Sequence, residues 1–227
     1  MKRRIFVLPL ATISLLISCT NTPELRSDIA KFVASFSYNE ARKVYLESSY
    51  TREDISHEEN GDIITINESM SINLKDVNNL GYDYTFSKKN GDEVLESHHY
   101  YIEKSGEDYL YHYVDAEPVV KTSEQVMSTL ISKFFYRSSL EGTHYLGMYV
   151  GDYLLEVLPY IQKFVTTDFD NNTLTYDIPI GEKKDAEGYD FSELLIVDQY
   201  GMTKSCDIYQ TNGKTILETT IRVTNVI

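Results

Sequence analysis

The chain has 227 residues, 21 basic against 35 acidic, for a net charge of −14. That charge repels nucleic acid and anionic membrane surfaces, which argues against a polyanion-binding role. Two cysteines, 19 tyrosines and no tryptophan describe a body that is held by packing and suits half-buried β surfaces.

The N-terminus is a leader. Lys2, Arg3 and Arg4 precede an apolar run, Ile5–Ile17, that ends in Leu16-Ile17-Ser18-Cys19. A membrane span needs about 20 apolar residues, so this run is too short to cross comfortably and suits a cleaved signal. The order Leu-Ile-Ser-Cys resembles the lipobox of bacterial lipoproteins. The resemblance implies cleavage after Ser18, a lipid on the Cys19 thiol, and an extracytoplasmic body anchored to the cell membrane. Residues 1–18 are then signal peptide, residues 19–24 a lipidated tether, and residues 25–227 a single domain. Without the three leader cations that body is more acidic still, and it stands off the surface that holds it. With Cys19 lipidated, Cys206 has no disulfide partner and reads as a small buried hydrophobe in a strand.

Leu25, Ile29, Phe32, Val33 and Phe36 fall at helical spacing. Ser37 to Glu40 reads as a capping box that starts a second helix. Strands follow over roughly 48–59, 62–75, 80–89, 93–104 and 107–115. Ile64, Ile66, Met70, Ile72 and Leu74 alternate with polar residues, with Glu68 the exception on the apolar face. Asn60-Gly61, Asn90-Gly91 and Ser105-Gly106 supply the hairpin turns. A second box, Thr122 to Gln125, opens a helix carrying Val126, Met127, Leu130, Ile131, Phe134 and Phe135. A link with Gly142, Gly147 and Gly151 leads to a helix over about 151–165, which Pro159 should kink or divide. Leu174, Tyr176 and Ile178 begin a second set of strands. Pro179–Gly188 reads as a charged exposed loop, and strands are expected at 194–197, 202–209 and 215–226. The order is that of an α+β domain: one antiparallel sheet of about 8–10 strands, with an N-terminal helix pair and a central helix pair.

The closing segment Leu194-Leu195-Ile196-Val197-Asp198-Gln199-Tyr200-Gly201-Met202-Thr203-Lys204, then a strand, Asn212-Gly213 and a final strand, resembles the LolA-like superfamily of envelope lipid and lipoprotein carriers. That resemblance implies a strongly curved, unclosed half-barrel with helices on its concave side. It also implies an apolar cavity and no catalytic residues. The cavity lining expected here is Ile66, Met70, Ile72, Tyr84, Phe86, Leu130, Phe134, Leu154, Leu158 and Ile161. The ligand would be an apolar small molecule, a lipid or an acyl chain, bound by a monomer. The same residues equally make a solid core, in a cell-surface interaction or structural protein acting through Tyr100, Tyr101, Tyr109, Tyr111 and Tyr113. A lipidated chain suits the anchored branch of these folds better than a soluble shuttle.

Other chemistry is weak. His98 or His99 could meet His112 across a hairpin, near Glu96 and Glu103, as two histidines and a carboxylate for zinc, though an exposed polar face explains them as well. Asp168, Asp170 and Asn172 have the first spacings of a calcium loop, but Thr173 and Pro179 stand where Gly and Glu are needed. No phosphate loop, nucleophile elbow or His-Glu-x-x-His is present, so neither a hydrolase nor a cofactor is expected.

Overall fold

The computed structural model describes residues 22–113, 116–136, 148–184 and 188–225. The leader, Cys19, Gly142, Gly147 and His144 lie outside the described residues. Among those described, no helix is long and apolar enough to cross a membrane.

Two short helices open the body. α1 (Ser27–Val33) buries Ile29, Phe32 and Val33. α2 (Tyr38–Val44) is capped by Ser37, whose hydroxyl accepts the Glu40 N–H at 3.3 Å. Six strands follow: β1 (Glu47–His57), β2 (Ile63–Asn73), β3 (Gly81–Asn90), β4 (Glu93–Ser105), β5 (Asp108–Tyr113) and β6 (Ala116–Lys121). α3 (Ser123–Ile131) starts with both bonds of its capping box, Gln125 N–H to the Thr122 hydroxyl and Thr122 N–H to the Gln125 side chain. A π turn (Ser132–Tyr136) extends it. α4 (Gly151–Ile161) runs two residues past Pro159 and tightens into a 3-10 turn (Gln162–Phe164). Five strands complete the chain: β7 (Val165–Asp168), β8 (Thr173–Lys184), β9 (Asp190–Asp198), β10 (Thr203–Thr211) and β11 (Ile216–Asn225).

All eleven strands form one antiparallel sheet in the order β6-β5-β4-β3-β2-β1-β11-β10-β9-β8-β7. It is not closed: β6 and β7 are its edges. The protein is α+β, and two strands more than the periodicity indicates are present. β6 and β7 are the additions. The second central helix stops at Ile161, not Val165, because Val165 begins β7. The stretch expected to be a loop from Pro179 belongs to β8 as far as Lys184, across a register shift between Ile178 and Lys183. That irregularity lets a charged, exposed segment stay on the ladder.

One face of the sheet is covered. Alternation puts Tyr50, Met70, Ile72, Tyr82, Tyr84, Leu174, Tyr176, Leu195 and Val197 inward, where they join Leu130, Phe134, Leu154, Leu158 and Ile161 of the central helices in one core. The start of α4 lies directly on the sheet at Gly201. That glycine turns β9 into β10 at φ +85°, and a Cβ there would stand 2.9 Å from the Gly151 Cα. The Val150 N–H donates to the Gly201 carbonyl at 2.9 Å, holding the start of α4 on that turn. Gly201→Ala therefore combines a left-handed backbone with a backbone clash. It is expected to lower the unfolding free energy by about 2 kcal/mol or more, read as a lower urea midpoint at an unchanged slope.

Candidate functional site

The inner face between sheet and central helices is where a cavity was expected. Met70, Ile72 and Tyr84 reach it from β2 and β3, Leu130 and Phe134 from α3 and its π turn, and Leu154, Leu158 and Ile161 from α4. All are buried and belong to one continuous core, with Phe86 half-buried against it. Ile66 is the outlier. It is half-buried on the same face but does not join that core, because its neighbours across the ladder are Asp54 and Lys88. The structure thus brings the expected lining together as packed side chains.

Beside this apolar zone the inner face turns polar. Arg52 and Asp54, two residues apart on β1, face the same way and make a buried bidentate pair. Arg52 Nε donates to Asp54 Oδ1 at 2.7 Å, and Arg52 Nη2 donates to Asp54 Oδ2. Glu68, the polar exception in the β2 pattern, sits opposite Arg52 in the ladder and accepts the Tyr50 hydroxyl at 2.8 Å. Glu193 on β9 is buried too. Burial first, and then the Glu193 carboxylate, pushes the Tyr153, Tyr176 and Cys206 side chains up, so all three stay protonated. Cys206 is therefore no thiolate nucleophile. Arg52, Asp54 and Glu68 thus have hydrogen-bond or ion-pair partners within the interior, as low-dielectric packing requires.

Asp198 organises the β9–β10 turn. Its Oδ1 accepts the N–H groups of Tyr200 (2.8 Å) and Met202 (2.9 Å), and its Oδ2 accepts the Tyr45 hydroxyl at 2.8 Å. Burial and that carboxylate push the Tyr45 hydroxyl up, which keeps its proton on the donor side of the bond.

The tyrosines of β4 and β5 do not form an exposed outer cluster. Tyr109 and Tyr111 are buried on the inner face, Tyr100 is half-buried on that face, and Tyr113 lies at its exposed margin. Tyr101 points outward and stacks on His112 with ring centroids 4.3 Å apart. The reason is pairing: Ile102 faces Tyr111 and Tyr101 faces His112, so alternate tyrosines go to opposite sides.

The same alternation separates the histidines. His99 and His112 share the outer face, whereas His98 shares the inner face with Tyr100. Each lies by a different carboxylate: His98 by Glu96 (2.7 Å), His99 by Asp83 (2.9 Å) and His112 by Glu103 (3.4 Å). Asp168 accepts the N–H groups of Asp170 and Asn171 and closes the turn into β8, which accounts for the calcium-like spacing. Among the described residues, no three His, Cys, Asp or Glu side chains could hold a metal ion. An open depression of about 460 Å³ lies across β8–β11, lined by Asp177, Leu194, Asp207, Tyr209 and Glu218 among others. None of the ten residues expected to line a cavity borders it.

No family model matches this chain, and no curated protein does. A solved structure described as a beta-barrel-like protein of domain of unknown function DUF1849, from Brucella abortus, aligns with 80% of this chain and 98% of its own at 7% identity. Its TM-score is 0.24, a likeness that fixes neither fold nor function.

Proposed function

We propose that this chain is a lipid-anchored protein of a bacterial cell envelope, attached through Cys19, with a LolA-like body that catalyses nothing and serves as an interaction or structural module. The observation that carries this reading is the packing between sheet and helices. Leu130, Phe134, Leu154 and Leu158 are each 0% exposed, and they occupy the space in which an apolar ligand would lie. The acidic surface keeps an extracytoplasmic monomer soluble and away from nucleic acid.

A second reading is favoured by the composition of that interior. The faces that α3 and α4 turn to the core are almost wholly apolar, so a lipid or acyl chain could take the place of α4 side chains if the helices moved off the sheet. Native mass spectrometry of the full-length protein in detergent, followed by organic extraction, separates the two readings. Bound lipid released by solvent, beyond that on Cys19, favours the carrier. A chain that stays free of it after incubation with membrane lipids favours the module.

The anchor has its own test. Cys19→Ser is expected to move the protein from the membrane fraction to the soluble fraction and to remove a diacylglyceryl mass from the intact chain. A Cys19→Ser protein that remains in the membrane fraction would sink the anchoring assignment.

A further inference from the structure

The open depression of about 460 Å³ across β8–β11 is a trough on the outer face of the sheet, and the ladder shows how it forms. Ile178, Glu193, Ile208 and Thr219 pair in one cross-strand row, and all four side chains are buried on the inner face. Their backbone is therefore the floor, and the outward residues on either side of that row are the walls. Asp177, Leu194, Asp207 and Thr220 pair along one wall, and Ser192, Tyr209 and Glu218 along the other. β8 completes the second wall differently. It leaves the ladder after Ile178 and rejoins it at Lys183, and the exposed Pro179 and Ile180 of that arch border the trough. The walls stand two residues apart, about 7 Å, and the trough crosses three strand spacings, about 14 Å.

The lining is acidic and contains no Lys, Arg or His. Glu193 turns inward. Asp207 is matched by Arg222 beyond the wall, whose two terminal nitrogens donate to its carboxylate at 2.7 and 3.0 Å. Asp177 and Glu218 remain. Both are exposed, and among the described residues no cation pairs with either. Asp177 is on β8 and Glu218 on β11, so a negative charge stands at each end of the trough. Between them Leu194 and Tyr209, half-buried on adjoining strands, offer an apolar surface. A narrow trough with charge at its ends and an apolar middle is complementary to a linear molecule with a cation at each end and methylenes between. An anion is repelled from it, and a compact monocation reaches one end only.

We propose that this trough binds a linear di- or polyamine lying across β8–β11, with ammonium groups at Asp177 and Glu218 and methylenes over Leu194 and Tyr209. The site lies on the opposite side of the sheet from the packed interior and depends on neither reading of it.

Equilibrium dialysis of the full-length protein in non-ionic detergent at low ionic strength tests this, with protein-free micelles as the blank. Two probes of equal charge are compared: diaminodecane, long enough to reach both ends, and putrescine, which is not. Diaminodecane is expected to bind one to one and at least about threefold more tightly than putrescine. Asp177→Asn with Glu218→Gln is expected to abolish that difference. Asp92→Asn with Glu107→Gln takes the same charge from the β3–β4 and β4–β5 turns and is expected to preserve it. All four positions are exposed, so both variants are expected to fold. The proposal is overturned if putrescine binds as tightly as diaminodecane, or if the remote pair of substitutions has the effect of the trough pair.

Discussion

Phe134→Ala is expected to cost about 3–5 kcal/mol of stability, roughly 10 °C in melting temperature for a chain of this size. Phe134 enters the interior from the π turn after α3 and has no exposed surface. Its ring lies 5.3 Å from that of Phe135 and 6.4 Å from that of Tyr50 on the sheet. Removing it leaves a void that packed neighbours on both sides cannot close. Guanidinium denaturation measures the loss. The number also bears on function. If the helices were a loose cover over a ligand space, truncation would open little new void, and the cost would fall below about 1 kcal/mol. A loss of that small size would return the apolar-carrier reading to first place.

Asp198→Ala is expected to be comparably damaging, at about 3–5 kcal/mol, for a different reason. One carboxylate satisfies two backbone N–H groups of the β9–β10 turn and the buried Tyr45 hydroxyl. Alanine strands three donors at once, and each buried unsatisfied donor costs about 1–3 kcal/mol. Asp198→Asn is the informative companion. Its amide oxygen still accepts from the turn, and the Tyr45 hydroxyl can rotate to accept from the amide nitrogen. It should therefore retain most of the stability. Equal losses for Ala and Asn, in thermal melts of both, would show that charge and not donor satisfaction is what the site needs.

The strands with clean alternation were legible, because one inner face imposes a period of two on β2 and on the start of β3. The capping box at Thr122 was legible because it is a local exchange of two hydrogen bonds. β6 was not. Its Ala-Glu-Pro-Val-Val-Lys run lacks alternation and contains Pro118, which argues against an interior strand. The ladder resolves the conflict at an edge: the register shifts between Tyr111 and Tyr113, and Pro118 falls at that irregularity. β7 was hidden because Val165 continues the apolar run of α4, so periodicity alone assigned it to the helix. The residues expected to line a cavity face inward, but apolar alternation reads the same for a cavity wall and a solid core. The inner polar zone was visible only as the oddity of Glu68. Its partners Tyr50 and Arg52 come from another strand, and a register must be known before they can be placed opposite it.

The order of strands also dictates how the sheet can assemble. β1 and β11 are neighbours at its middle, paired from Ser48↔Asn225 to His57↔Ile216. On one side of that seam lies the meander β1 to β6, and on the other the meander β7 to β11, each built from adjoining strands. Either half can zip up locally, but the seam must join segments at opposite ends of the domain, which carries the largest loop-closure entropy in the fold. Until β11 arrives, the β1 edge stands open as a template for stray strands. A chain delivered N-terminus first would thus hold two half-sheets in waiting, and its slow, aggregation-prone interval would end only when the seam closed.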